Sequence, residues 1–243
     1  MIRSMWLGEF AGTLMMLLLG NGVVAAVVLK QTKAEAAGWM VITTGWAFAV
    51  LCGNFTASLF GSADAHLNPA ITVAFAVKNG DFSNLLSFAS AQIAGAFAGS
   101  ILVWLIYFPH WELTDDKQAK LGAFCTGPAV YRPGFNLLSE IIGTFVLVTV
   151  AGAISSKLVL TTGAAAGLSP FLIACLVWAI GLSLGATTGY AINPARDFGP
   201  RLAHQLLPIA GKGDSNWGYC WIPILGPVLG ASMAGALLRF IGA

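Results

Sequence analysis

The stretch AINPARDFGPR, residues 191–201, lies at the end of an otherwise charge-free run and sets Asn193, Pro194, Arg196 and Asp197 side by side. Each of these groups is costly in hydrocarbon, so the grouping calls for a purpose. Asparagine followed by proline is a helix-start signal. The Asn side chain caps free backbone N–H groups, and a proline at the first helical position lacks the N–H that would go unpaired there. The same signal occurs earlier in HLNPA, residues 66–70.

A second pair of matched stretches precedes these two. GEFAGT at Gly8–Thr13 is echoed by SEIIGT at Ser139–Thr144, with Glu9 and Glu140 offset by 131 residues, while Asn68 and Asn193 are offset by 125. The order is the same in both halves, so the chain is an internal repeat with small insertions and deletions.

The setting is a membrane. Of 243 residues 57% are hydrophobic and only 9% charged, with a mean hydropathy of +0.80, outside the range of soluble domains. Charge-free windows run over Phe10–Leu29, Ala36–Ala63, Phe82–Phe108, Leu158–Ala195 and Ser215–Leu238, and most reach the roughly 20 residues of a membrane-spanning helix. Six spans are expected, at about Met5–Leu29, Gly38–Leu59, Phe82–Phe108, Asn136–Lys157, Ser169–Tyr190 and Trp217–Ile241. The first leads straight into the repeat, so no signal peptide is expected to be removed.

A net charge of +2 offers no basic patch for nucleic acid and no acidic run. Cys52, Cys125, Cys175 and Cys220 lack metal-ligand spacing and are expected to be buried structural thiols. The polar loop Pro109–Pro133 divides the chain nearly in half. The expected organisation is a single channel domain over 1–243, with repeat one at about 1–108, a linker at 109–133 and repeat two at 134–243.

Three spans per half is an odd number, so the second half enters from the opposite side and the repeats are inverted. Asn68–Lys78 measures about 16 Å as a helix, half of a hydrocarbon core of about 30 Å. Each Asn-Pro therefore starts a half-spanning, re-entrant helix, and the two amino ends meet near the midplane. Non-helical backbone leading to that point is tolerated only where it lines a watery cavity or is buried in protein. The fold class is an all-α membrane protein with six transmembrane helices plus two half-helices, and a pore explains it economically.

With Asn68-Pro69-Ala70, Asn193-Pro194-Ala195, a glutamate in the first span of each repeat and Arg196 three residues after Asn193, the chain resembles the aquaporin superfamily over nearly its whole length. Asp197 after the arginine, and Pro223 followed by Ile224 in the last span, are similar to the aquaglyceroporin (glycerol facilitator) branch. The resemblance implies a homotetramer with one pore per subunit and passive flux without a cofactor or metal. It implies a selectivity constriction whose members, by counting from the two asparagines, are Phe48, Gly181, Tyr190 and Arg196. The best-known glycerol pattern has Trp at the first position and Phe at the third; here Trp46 stands two residues upstream of Phe48. Water-specific relatives carry His where Gly181 stands, so glycine implies a wider opening that admits a three-carbon polyol.

Arg196 keeps its charge and must face the pore, anchored by backbone carbonyls. Asp197, adjacent on the helix, points about 100° away and is expected to fix the loop or half-helix end instead. By resemblance Glu9 and Glu140 each brace an Asn-Pro-Ala loop, and His66 does similar work.

The function expected is a passive channel for glycerol and other small uncharged solutes with water, excluding protons and ions. Dihydroxyacetone, urea, undissociated lactic acid and hydrogen peroxide fit the same description. A water channel with little glycerol flux is the nearest rival. A proton-coupled transporter using Glu9 or Glu140, and a structural membrane protein, are more distant ones. The family's topology puts both termini in the cytoplasm of a cell with the protein in its plasma membrane. Arg3, Lys78, Lys157 and Arg239 then lie inside, and Lys30, Lys33, Lys117, Lys120, Arg132 and Lys212 outside, a count that opposes the positive-inside rule.

Overall fold

The structure is a computed structural model and describes residues 3–165 and 167–243. In repeat one, α1 (Met5–Val28) and α2 (Trp39–Phe60) are followed by the short α3 (Pro69–Asn79) and by α4 (Leu85–Ile106). The loop between repeats carries two further short helices, α5 (Phe108–Leu113) and α6 (Lys117–Gly122). In repeat two, α7 (Pro133–Ser155) and α8 (Leu168–Leu184) precede the short α9 (Pro194–Leu206) and α10 (Ile222–Ile241). Among the described residues six helices are long and apolar enough to cross a membrane, and they fall where the apolar windows put them.

Local chemistry sets the ends of the elements. Ser4 caps α1 by accepting from the Leu7 N–H, and Gly61 closes α2 with a left-handed φ of 116°. Asn68 and Asn193 are the N-caps of α3 and α9, each with proline at the first helical position and with side-chain oxygens accepting from Ala70 and from Ala195 and Arg196. At 11 and 13 residues these helices measure about 16–20 Å and stop within the bilayer.

Packing repeats with the sequence. α1 lies against α2 and α4, and α7 lies against α8 and α10. The close crossings need glycine: a β-carbon on Gly95 would lie 2.3 Å from the Phe10 carbonyl oxygen, and one on Gly230 would lie 2.3 Å from that of Ile141. These contacts follow directly after Glu9 and Glu140, so the small-residue faces of α4 and α10 seat the helices that carry the two carboxylates. The half-helices are exchanged between repeats, with α3 packed on α10 and α9 on α4.

The expectation of four buried cysteines changes, and a pair of glycines serves a neighbouring side chain. Gly181 on α8 and Gly185 just past its end lie against Tyr190. β-Carbons there would lie 2.9 Å from Cζ and 2.5 Å from Cδ1 of Tyr190, so the pair leaves room for that ring. Cys52 and Cys175 are exposed on the outside of the bundle, whereas Cys125 and Cys220 are buried. An apolar run allows either placement, because lipid accepts a thiol as readily as a core does.

Candidate functional site

The two loops that lead into α3 and α9 have the same unusual backbone. Ala65 and Leu67 take φ of 43° and 51°, and Tyr190 and Ile192, 125 positions on, take 37° and 42°. Left-handed conformations at non-glycine residues are strained and persist only when their surroundings hold them. A buried carboxylate holds each pair. Glu9 accepts from the backbone N–H groups of His66 (2.9 Å) and Leu67 (2.7 Å), from Ser62 Oγ (2.6 Å) and from Gln92 Nε2 (2.8 Å). Glu140 accepts from Ala191 N (3.0 Å), Ile192 N (2.8 Å) and Thr188 Oγ1 (2.7 Å). The His66 ring adds a contact between its Nδ1 and Thr72 Oγ1 at 3.1 Å and stacks on Phe75 at 4.8 Å.

At the midplane the loops are cross-linked. Asn68 Nδ2 donates to the Ile192 carbonyl and Asn193 Nδ2 to the Leu67 carbonyl, both at 2.8 Å. Each side-chain oxygen is committed to its own helix and one amide hydrogen to the opposite repeat, which leaves one N–H per asparagine. Both asparagines line a cavity of about 430 Å³ that also meets His66, Trp46, Tyr190 and Arg196 and extends to Lys78 and Ser169.

At one end of this cavity Arg196 lies with Cζ 4.2 Å above the Trp46 ring, and its Nη1 donates to the Phe124 carbonyl at 3.4 Å. The geometry corrects the count that placed Phe48 at this point. Phe48 is 54% exposed on the outer side of α2 and does not line the cavity, whereas Trp46 is 4% exposed and does. Counting back from Asn68 crosses the non-helical segment between α2 and α3, and a difference of two residues turns the helix by about 200°. Gly20 on α1 makes room for Trp46, since a β-carbon there would lie 2.5 Å from the indole.

Gly181 acts through Tyr190 and does not itself line the cavity. The Tyr190 hydroxyl would lie 3.0 Å from a β-carbon at position 181, and its ring meets Trp39 edge-on at 5.8 Å. The space freed by glycine therefore holds a tyrosine ring, and the opening is narrower than glycine alone implies. Trp46→Ala is expected to raise the permeability of polyols longer than glycerol by at least about fivefold, each 1.4 kcal/mol of lost barrier being tenfold. Phe48→Ala should leave it unchanged, and solute-gradient light scattering on reconstituted vesicles distinguishes the two.

Asp197 is fully buried and fixes a loop. Its Oδ2 accepts from Thr126 N (2.8 Å), Thr126 Oγ1 (2.7 Å) and Arg201 Nη2 (2.9 Å), and its Oδ1 accepts from Arg201 Nε at 2.8 Å. Arg201 was unassigned by sequence reasoning, yet its spacing of four after Asp197 on a helix start was a usable signal. The same holds for the segment after α6, read only as a linker, which supplies Phe124 to Arg196 and Thr126 to Asp197.

The sequence profile of the major intrinsic protein family matches residues 2–238. The chain belongs to that family. Among the major intrinsic proteins similar to it, the probable glycerol uptake facilitator protein of Thermotoga maritima is 52% identical over 240 residues, covering 98% of this chain and 99% of that protein. Glycerol uptake facilitator protein 3 of Lactiplantibacillus plantarum is 52% identical over 235 residues, covering 96% and 94%. The X-ray structure of the aquaglyceroporin from Plasmodium falciparum shares the fold, with a TM-score of 0.85 at 23% identity over 98% of this chain and 96% of that one. This major intrinsic protein is thus a multi-pass integral membrane protein with the inverted-repeat architecture of its family.

Proposed function

We propose that this protein is a passive channel for glycerol and water that rejects ions and protons; it is a channel and not an enzyme. The reading is carried by the Arg196 guanidinium stacked on Trp46 in the cavity wall, with Tyr190 alongside, which puts fixed donors and aromatic surface next to each other on one lining. Aromatic faces suit the carbon edge of a polyol, and the fixed guanidinium donors suit its hydroxyl oxygens. The high identity to glycerol uptake facilitators supports the same solute.

Further in, the free N–H of Asn68 and of Asn193 would donate to a passing hydroxyl or water. The amino ends of α3 and α9, each equivalent to about half a positive charge, would oppose hydronium and cations there. Glu9 and Glu140 hold the loop N–H groups away from the lumen, so that backbone carbonyls opposite them can accept hydrogen bonds from a single file of solute. His66 braces the first loop, and Asp197 the segment behind Arg196. In this reading the whole chain is one channel unit, four copies assemble as the resemblance implies, and dihydroxyacetone, urea, undissociated lactic acid and hydrogen peroxide are further permeants.

Both termini are placed in the cytoplasm, with the protein in the plasma membrane. The excess of outer cations is then eased by fixed bonds. Lys212 Nζ donates to the carbonyls of His204, Gln205 and Leu207 at the end of α9, Lys120 donates to Ala210, and Lys30 pairs with Glu35 at 2.7 Å.

The test is stopped-flow of vesicles in a glycerol gradient, with wild type against Gly181→His. The histidine must displace the Tyr190 ring toward the lumen. Glycerol permeability is expected to fall at least about tenfold, a barrier increase of about 1.4 kcal/mol, while water flux persists. Equal glycerol flux through both forms overturns the constriction; no glycerol flux through wild type overturns the channel reading.

A further inference from the structure

Asn21 lies in the middle of α1 and is 1% exposed. Together with Thr13 it supplies the polar side chains of the window Phe10–Leu29. A carboxamide in an apolar membrane helix is costly unless it is paired. Its Nδ2 donates to the Phe124 carbonyl at 3.0 Å and lies 3.4 Å from Ser100 Oγ on α4. Its Oδ1 is buried with no partner among the described residues.

The Phe124 carbonyl is the same group that accepts from Arg196 Nη1 at 3.4 Å. One oxygen thus joins Asn21 and the pore arginine through its two lone pairs. The neighbouring backbone is tethered elsewhere: Thr126 N and Oγ1 bind Asp197, and the N–H groups of Phe124 and Cys125 bind the Leu121 carbonyl at 2.9 and 3.0 Å. The Cys125 N–H bond holds one edge of the peptide plane between residues 124 and 125, and at its carbonyl edge the Asn21 bond, at 3.0 Å, is the shorter of the two that meet there.

We infer that Asn21 is a positioning residue for selectivity: it fixes the tilt of the Phe124 carbonyl and thereby the distance of the Arg196 guanidinium from the Trp46 face. If Asn21 only joined α1 to α4, its loss would reduce stability and leave selectivity untouched. The orphaned Oδ1 argues against a role in stability alone. Asn21→Leu removes that unpaired acceptor together with the Phe124 bond, two effects of opposite sign, so the unfolding temperature should stay close to that of wild type.

The inference rests on the channel reading above, and the experiment separates them. Glycerol and water permeabilities are measured in vesicles for wild type, Asn21→Leu, Asn21→Ala and Ser100→Ala, with thermal unfolding of each in detergent. Asn21→Leu is expected to change the glycerol-to-water permeability ratio by at least about threefold at an unfolding temperature close to that of wild type, within the range by which one network residue modulates a remote site. Ser100→Ala should leave the ratio as it was. An unchanged ratio in Asn21→Leu overturns the inference, as does an equal change in Ser100→Ala. Should Asn21→Leu not fold, Asn21→Ala must show the altered ratio or the inference falls. Wild type that conducts water and no glycerol overturns the underlying reading instead.

Discussion

Arg201→Ala is expected to lower folding stability by about 3–5 kcal/mol, the usual consequence of stripping one partner from a buried ion pair. Arg201 and Asp197 are both fully buried, and the guanidinium spends its donors on five contacts: two to Asp197, and one each to the carbonyls of Thr126 (3.0 Å), Ser215 (2.8 Å) and Asn216 (3.0 Å). Removing it leaves a carboxylate in an apolar interior and frees three loop carbonyls together. Lysine offers one point charge and cannot reproduce the planar fork, so Arg201→Lys should recover only part of the loss. Removing both charges in an Asp197→Leu, Arg201→Met variant should be milder than Arg201→Ala alone. Thermal unfolding of purified protein reads all three, and a wild-type midpoint for Arg201→Ala would show that the pair is dispensable.

Glu140→Leu is expected to lower solute flux by at least about 100-fold, equivalent to about 2.7 kcal/mol of added barrier. The carboxylate is the recorded partner of the Ala191 and Ile192 N–H groups, and the residues on either side of Ala191 have left-handed backbone. Leucine leaves both N–H groups buried and unpaired, at about 1–3 kcal/mol each, and releases the strain that Glu140 holds in place. The loop should relax, withdrawing the Ile192 carbonyl from Asn68. Glu140→Gln keeps an acceptor oxygen and should retain more flux. A proton-coupled carrier would instead lose its pH-gradient dependence in both variants while Glu140→Leu kept passive conduction, and flux with and without a pH gradient discriminates between the two.

Much of this was legible in the sequence because the repeat states it twice. The matched glutamates, the paired Asn-Pro-Ala starts and the short apolar pieces after them follow from capping chemistry and helix length, which are local. What failed was register across non-helical backbone. Phe48 and Trp46 are both aromatic and both on α2, and only the path of the chain between Gly61 and Leu67 decides which faces Arg196. Gly181 was read as space, but space in a packed protein belongs to whichever neighbour fills it, here Tyr190. Phe124 was illegible for another reason: it acts through a backbone carbonyl, which every residue has, and Thr126 acts through its backbone N–H and carbonyl as well as its hydroxyl. Asn21 and Arg201 left a trace, one as a lone amide in an apolar helix and the other as a second arginine at helical spacing from an aspartate.

The crossed bonds between Asn68 and Ile192 and between Asn193 and Leu67 bear on biosynthesis. While only the first half of the chain has left the ribosome, the Asn68 amide faces lipid or water without the carbonyl that will receive it, and α3 lacks the α10 surface on which it rests. The first half is therefore not a finished membrane unit awaiting a duplicate. Asn68 finds its carbonyl only when residue 192 has been made, about halfway through the second repeat, and α3 gains its main packing surface only when α10 follows. The last span to be made is the one that closes the first.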